Sequence, residues 1–104
     1  MRKPIPISEL LALSKSRLQT LQAGAERANR VLEAVRRALP ADLGGHVFGA
    51  SIGAGGVLTV LVDSGAFATR VRYELPGRLA AIEADAAGGP IGRAHIRVRP
   101  RDDA

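Results

Sequence analysis

Apolar residues in the first half of the chain recur at alternating steps of three and four, which is the spacing of one face of an α-helix. The pattern predicts a long helix from Ser16 to Leu39, ended by Pro40 and Gly44-Gly45. The same spacing fits a heptad, so a dimeric coiled coil is an alternative, although small residues in the stripe favour close packing on a sheet. The stripe consists of Leu18, Leu21, Ala25, Ala28, Leu32, Val35 and Leu39.

The residues before this stripe predict a different arrangement. Prolines at positions 4 and 6 favour an extended basic arm over residues 1–7. Ser8 is then placed to cap a short, separate helix that continues to about Leu13.

Two short strands, His46–Ile52 and Val57–Val62, are predicted next, with Gly53–Gly56 as the hairpin turn between them. The glycines also match the G-x-x-G loop with which KH domains hold nucleic-acid backbone, and they resemble phosphate-binding loops. Both of those loops open a helix, whereas a strand pattern follows here, so a tight turn is favoured.

A second helical pattern begins after the second strand, where Ser64 can cap it, and runs to about Asp85. Pro76 lacks a backbone donor, so we expect two helices that meet near Leu75-Pro76-Gly77. The last element, Gly92–Arg99, alternates as a half-buried strand does. Its apolar face is Ala94, Ile96 and Val98, and its polar face is Arg93, His95, Arg97 and Arg99.

The resulting order, helix, strand, strand, helix, helix, strand, predicts an α+β fold with one three-stranded sheet and helices on one face. We expect a single domain over residues 8–100 and a short tail at 101–104. The helical crossover makes the second and third strands parallel with a right-handed connection, and the apolar second strand favours the centre. This order resembles the type II KH arrangement, but the junction Leu75-Pro76-Gly77-Arg78 lacks the G-x-x-G clamp.

Composition narrows the classes of function. The 104 residues contain no cysteine, which excludes a disulfide framework and thiolate metal sites. No signal-like apolar run begins the chain, and Val57–Val62 is too short to cross a bilayer, so we expect a cytoplasmic protein without a membrane partner. The net charge of +5 is concentrated at both ends. It indicates either a polyanionic or acidic partner or simply a solvated basic face.

Catalytic chemistry finds little support. Asp63 and Ser64 with His46 or His95 have the residue types of a hydrolytic triad, but two adjacent residues cannot easily orient one imidazole between them. Two distant histidines without a companion carboxylate do not make a metal site, and no Walker loop is present. We therefore expect no enzyme, no cofactor and no small-molecule substrate.

Several short motifs lie along the chain between Ile7 and Pro100: Leu39-Pro40-Ala41-Asp42-Leu43, His46, Gly56-Val57-Leu58-Thr59-Val60, Val62-Asp63-Ser64, Phe67-Ala68, Arg70-Val71-Arg72, Leu75-Pro76 and Val98-Arg99-Pro100. Together they resemble the DciA family, bacterial KH-like accessories of the replicative DNA helicase DnaB. The resemblance implies a non-enzymatic helicase loader or recruiter in DNA replication that binds DnaB and has weak, non-specific affinity for DNA. Many members carry a flexible extension that helps engage the helicase. The alternative is a KH-like single-stranded nucleic-acid-binding module unrelated to helicase loading.

Two candidate surfaces follow. Phe67 stands where the family usually has tryptophan; it is either a core wedge, which its place in the first helical turn favours, or a ring that touches the partner. The candidate helicase-binding residues are Phe67, Arg70, Arg72, Tyr73 and Arg78, unless this is an ordinary solvated helix face. The candidate nucleic-acid-binding residues are Arg2, Lys3, Arg93, Arg97, Arg99 and Arg101. Because aromatic residues are few, we expect electrostatic, sequence-independent binding.

Overall fold

The structure, a computed structural model, describes residues 7–86 and 89–100. The elements follow the predicted order, with an additional single-turn helix before the first strand. Their bounds are α1 (Ile7–Ala38), α2 (Ala41–Gly44), β1 (Val47–Gly53), β2 (Val57–Val62), α3 (Gly65–Glu74), α4 (Leu79–Ala86) and β3 (Arg93–Val98), with 3₁₀ turns at Ala54–Gly56 and Pro76–Arg78. The α+β prediction is therefore confirmed, and the arrangement is compatible with a KH-like fold.

The three strands form one mixed sheet with β2 in the centre. β1 pairs with β2 antiparallel, and β2 pairs with β3 parallel, as the helical crossover predicts. The β1–β2 register shifts by one residue between Val47 and Gly49, so Phe48 is the extra residue of a β-bulge. The bulge fixes which residues lie opposite each other at the far end of the hairpin.

A single hydrophobic core lies between the sheet and the helices. In the described residues no polar or charged side chain is buried. The core is built from alternate residues of the strands and from one face of each main helix, in agreement with the predicted periodicities. Its largest fully buried side chains include Leu43, Leu58, Leu75 and Ile82.

The predicted division of the N-terminal region into an arm, a short helix and a long helix is wrong over the described residues. Ile7 is already the first residue of α1, which continues without interruption for 32 residues. Ser8 lies within this helix, and the sequence Ser14-Lys15-Ser16 contains no glycine or proline that would end it. Residues 1–6 of the predicted arm and 101–104 of the predicted tail lie outside the described residues.

Most of the predicted apolar stripe on α1 has no partner in the chain. All residues from 7 to 27 are exposed, and the buried side chains of α1 are Val31, Ala34 and Val35, with Leu32 and Ala38 packed partly against the core. Ala28 and Leu32 are half-buried, whereas Ala25 is exposed. The prediction that the small residues of the stripe pack on the sheet is therefore wrong for Ala25. Periodicity identified the apolar face correctly but could not indicate what covers it.

The glycine cluster between β1 and β2 forms a turn, as expected, and β2 follows it directly. Gly55 and Gly56 have φ angles of 76° and 72°, a region that favours glycine. Gly92 N donates a 2.8 Å hydrogen bond to Gly56 O, which brings the entry of β3 against this turn. The glycines therefore allow the backbones of β1, β2 and the entry to β3 to approach each other at this turn.

Candidate functional site

His46, Asp63 and Phe67 meet where β1 begins, β2 ends and α3 makes its first turn. The backbone of Asp63 donates a 3.1 Å hydrogen bond to His46 O, which closes the hairpin at this end. Nδ1 of His46 lies 3.0 Å from Oδ1 of Asp63, and because a carboxylate only accepts, Nδ1 carries the proton. The imidazole also stacks on the Phe67 ring, with centroids 3.5 Å apart and planes inclined by 12°.

Ser64 holds the N-terminus of α3. Its backbone is extended, and its Oγ accepts a 3.4 Å hydrogen bond from Phe67 N, as the capping prediction requires. Sequence reasoning missed the His46–Asp63 contact when it set aside a hydrolytic triad. That contact exists, but the Ser64 oxygen faces the first turn of α3 and acts as a cap.

Phe67 is half-buried and packs against the core while its ring lies against His46. This position is that of a wedge between helix and sheet, with part of the ring accessible beside the imidazole. The role of Phe67 in partner binding stays a prediction.

The candidate arginines of α3 point to different sides of the helix. Arg70 donates to Oδ2 of Asp42 and joins α3 to α2. This hydrogen bond, more than the charge of the guanidinium, holds the pKa of Asp42 below its usual value of about 3.8. Arg72 donates to Ile96 O of β3 at 3.4 Å. Tyr73 is 83% exposed.

Arg78, a candidate helicase-binding residue, makes contacts within the fold that the sequence did not predict. Its Nη1 donates a 2.7 Å hydrogen bond to Ala38 O at the end of α1, and its Nη2 donates to Glu74 at 2.9 Å. The guanidinium therefore ties the C-terminus of α1 to the α3–α4 junction. This supplies the helix end with the cation that its dipole favours.

The arginines of β3 lie on the exposed face of the sheet. Arg93 and Arg97 are directly beside Val57 and Leu61 of β2. Within residues 7–86 and 89–100, neither they nor Arg99 takes part in an ion pair, whereas Arg36, Arg37, Arg70 and Arg78 all do. No residue of the three strands is acidic. This face therefore offers cations that carboxylates of the described chain do not neutralise.

A cleft of about 280 Å³ separates the α3–α4 junction from β3. Arg72 lies in its lining and reaches the backbone of the strand that carries the arginine row, so it is adjacent to both candidate surfaces. The lining residues are Arg72, Leu75, Pro76, Ala94, His95 and Ile96. The remaining candidates, Arg2, Lys3 and Arg101, lie outside the described residues.

Two kinds of site are not found in the described part of the chain. No three His, Asp or Glu side chains gather there as metal ligands do. None of its helices combines the length and the apolar character that crossing a membrane requires.

The fold is that of a small α+β domain whose arrangement is compatible with a KH-like fold. Comparison with protein-family models matches residues 6–96 to DciA, described as "Dna[CI] antecedent". The chain therefore belongs to the DciA family, whose role at family level is loading of the replicative helicase DnaB and which is an accessory family, not a catalytic one. A search of the curated proteins finds no match.

Residues that carried the resemblance in the sequence contact each other in the structure. Asp42 pairs with Arg70, and His46 contacts both Asp63 and Phe67. These five residues come from two short stretches of the chain, residues 42–46 and 63–70. We call this cluster, Asp42, His46, Asp63, Phe67 and Arg70, the α2–α3 corner.

Proposed function

We propose that the protein binds the replicative helicase DnaB and assists its recruitment or loading in the bacterial cytoplasm, without catalysing a reaction of its own. Membership of the DciA family supports the class of function. We place the helicase-binding surface at the α2–α3 corner because residues that resemble the family's motifs make three side-chain contacts there.

The helicase-binding surface that we propose runs from this corner along the outer side of α3. The side chains of Asp42 and Arg70 are 60% and 49% exposed, so their ion pair is accessible to a partner. Tyr73 lies one turn further along the same helix and is the more exposed of the two aromatic residues of α3. Tyrosine and arginine are the residues that most often dominate the energy of protein interfaces.

The test is the affinity for purified DnaB from the same organism. We expect Arg70→Glu with Arg72→Glu to weaken binding by at least about tenfold, because Arg70 on this face and Arg72 on the adjoining side of α3 both change sign. A matched control is Arg27→Glu with Arg30→Glu, which changes the charge equally on an exposed part of α1. It should bind as the unmodified chain does.

Tyr73→Ala is the second variant, since its side chain is exposed and its loss should not disturb folding. Retention of full helicase affinity by both the double charge reversal and Tyr73→Ala, with native circular dichroism spectra, would place the contact elsewhere. If the unmodified chain fails to co-elute with DnaB, the proposed function itself is wrong.

We further propose weak, sequence-independent DNA binding on the exposed face of β3. The supporting observation is the row of arginines that form no ion pair with any described residue, on a sheet whose strands contain no acidic residue. Of the three aromatic residues, Phe48 and Phe67 are half-buried, which leaves Tyr73 as the exposed ring for base stacking. Electrostatic attraction to phosphates is then the main contribution.

Salt dependence tests this surface. Replacing Arg93, Arg97 and Arg99 with alanine should reduce the slope of log K against log salt by roughly 2 to 3, because each lost phosphate contact removes about 0.7 to 0.9. The control replaces Arg17, Arg27 and Arg30 of α1, which removes the same charge from another element. An unchanged slope in the β3 variant rules that face out. Strong DNA binding without any helicase binding would favour the alternative, a KH-like nucleic-acid module.

A further inference from the structure

The N-terminal two-thirds of α1 exposes an unusual amount of apolar surface. Six large apolar side chains of this segment are between 47% and 75% exposed, whereas the only others of that kind in the described residues are Tyr73 and Val98. A helix that lacks tertiary packing is marginal in water, so a partner that buries this face would stabilise it considerably. The six are Ile7, Leu10, Leu11, Leu13, Leu18 and Leu21.

The residues of the apolar stripe on α1 can be paired, layer by layer, with those of an antiparallel second copy. The stripe has the spacing of a heptad, in which alternate members form the a and d positions. When two such helices pair antiparallel, each a residue lies opposite a d residue of the second copy. Read from both ends inwards, the layers become Ile7 with Leu32, Leu11 with Ala28, Ser14 with Ala25, and Leu18 with Leu21.

This antiparallel register places bulky residues in the two central layers and sets Leu11 against the small Ala28. A parallel pair in register would instead place Ser14, Ala25 and Ala28 each opposite itself. That arrangement leaves three thin layers, whereas the antiparallel register leaves two, the Ser14–Ala25 layer and its symmetry-related copy, and poorly filled layers lose packing energy. Side-chain volume therefore favours the antiparallel arrangement.

We propose that a second copy of this chain covers the exposed face of α1, with the two helices antiparallel. The four of these side chains that lie in the paired layers, Ile7, Leu11, Leu18 and Leu21, expose on the order of 500 Å² in total, which is more than half of the roughly 800 Å² that each partner contributes to a standard interface. The proposal goes beyond helicase binding and does not depend on it.

The base of α1 provides a place for the end of the second helix. A cleft of about 330 Å³ lies there between α1 and the edge of the sheet, and Ala28, Leu32, Phe48 and Leu61 form its apolar lining. In the antiparallel register, Ile7 and Leu11 of the second copy lie beside Leu32 and Ala28 and therefore reach this cleft. The apolar face of the helix thus continues onto the domain without a break.

The flanking charges are compatible with this register. Lys15 and Arg17 border the stripe, and in the antiparallel pair they lie nearest to Gln22 and Gly24 of the second copy. The two cations consequently do not oppose themselves across the interface, which avoids a repulsion that would discriminate against association.

Sedimentation equilibrium of the full chain tests association. We expect a dimer at micromolar concentrations, and Leu18→Glu should raise its dissociation constant by at least about tenfold, because it places two charges in the central layers. Gln19→Glu is the matched control, since it adds the same charge next to Leu18 but outside the stripe, and it should remain dimeric. Both positions are exposed, so neither change should unfold the domain.

Cysteine cross-linking tests the register, because the chain contains no cysteine of its own. In an equimolar mixture of Ser14→Cys and Ala25→Cys chains, the antiparallel pair predicts a disulfide between the two different chains. Each variant alone should cross-link poorly. Efficient cross-linking of Ser14→Cys with itself would show a parallel pair and overturn the proposed arrangement.

The same variants distinguish a second copy from other occupants. If the chain is monomeric at every concentration up to about 1 mM, the proposal is wrong. If Leu18→Glu then loses co-elution with DnaB while Gln19→Glu retains it, the helicase occupies this face. Arg70→Glu with Arg72→Glu should leave the dimer intact, so a failure of helicase binding and a failure of dimerisation can be told apart.

Discussion

At the scale of single residues, the contact between Arg70 and Asp42 joins two helices through charges that remain accessible to water. The hydrogen bond from Arg70 lowers the pKa of Asp42 in the folded protein. A carboxyl group whose pKa is lower in the folded state stabilises the fold above its unfolded-state pKa, about 3.9. That contribution disappears as the pH falls through the lowered pKa.

Arg70→Gln should raise the pKa of Asp42 towards its usual value, because the largest of the interactions that lower it is lost; NMR titration of the carboxyl carbon measures the change. The difference in free energy of unfolding between the unmodified chain and this variant should be small and constant from about pH 5 to 7, because the pair is solvent-exposed. It should shrink towards zero below the lowered pKa. Arg17→Gln serves as control, since within the described residues Arg17 forms no ion pair. An identical Asp42 titration in both proteins would contradict the assignment.

At the scale of elements, the turn between β1 and β2 supports β3 as well as the hairpin. Gly55 and Gly56 have nearly the same positive φ, but their surroundings differ. A Cβ at Gly55 would meet no atom within 4 Å, whereas a Cβ at Gly56 would lie 2.5 Å from Pro90 O. The backbone that leads into β3 thus passes where any side chain at position 56 would be.

Gly55→Ala should cost about 1 kcal/mol of unfolding free energy, from backbone strain alone. Gly56→Ala carries the same strain and must also displace the backbone at Pro90, so we expect a loss of about 3 kcal/mol. Urea denaturation of the two variants gives the comparison. Equal losses would mean that the approach of Pro90 to the turn does not constrain the fold.

Much of the arrangement of elements could be predicted from sequence, because the strands are short segments with glycine or proline nearby, and β3 also alternates clearly between apolar and polar residues. The apolar character of β2 on both faces favoured its central position but did not decide it. The continuity of α1 could not be predicted, since prolines at positions 4 and 6 and the serines near Lys15 resemble boundaries that the helix does not use. The exposure of Leu18 was also hidden, because periodicity shows which face is apolar and not whether another element covers it.

The α2–α3 corner depends on a detail that the sequence does not show. Extending the regular register of the hairpin from Gly53 opposite Val57 would place His46 opposite Ser64. The bulge at Phe48 shifts the pairing by one residue and brings His46 opposite Asp63 instead. The sequence identified individual residues of the corner by their resemblance to the family. The contact between His46 and Asp63 could not be predicted without knowledge of the bulge.

At the scale of the whole molecule, α1 extends well beyond the domain. Its 32 residues span about 48 Å at 1.5 Å per residue, and the longest dimension of the molecule is 60 Å. The radius of gyration, 17.9 Å, exceeds the roughly 13 Å typical of a compact chain of this length. The protein is therefore a small domain from which one helix projects.

Deleting residues 1–20 should leave the stability of the domain within about 0.5 kcal/mol in urea denaturation under conditions where the full chain is monomeric, because all described residues of this segment are exposed. Deleting residues 1–34 removes Val31 and Ala34 from the core, and this control should not fold. A large loss of stability in the shorter deletion would show that the projecting segment supports the domain.

Because one uninterrupted helix is exposed at one end and buried at the other, its backbone amides should exchange with deuterium over a wide range of rates. Amides near Leu18 exchange whenever the helix frays, whereas those near Val35 must wait for unfolding of the whole domain. Any molecule that holds the free end suppresses fraying there and slows exchange without touching the core. Amide exchange rates compared residue by residue along α1 therefore measure whether a molecule is bound to its projecting end.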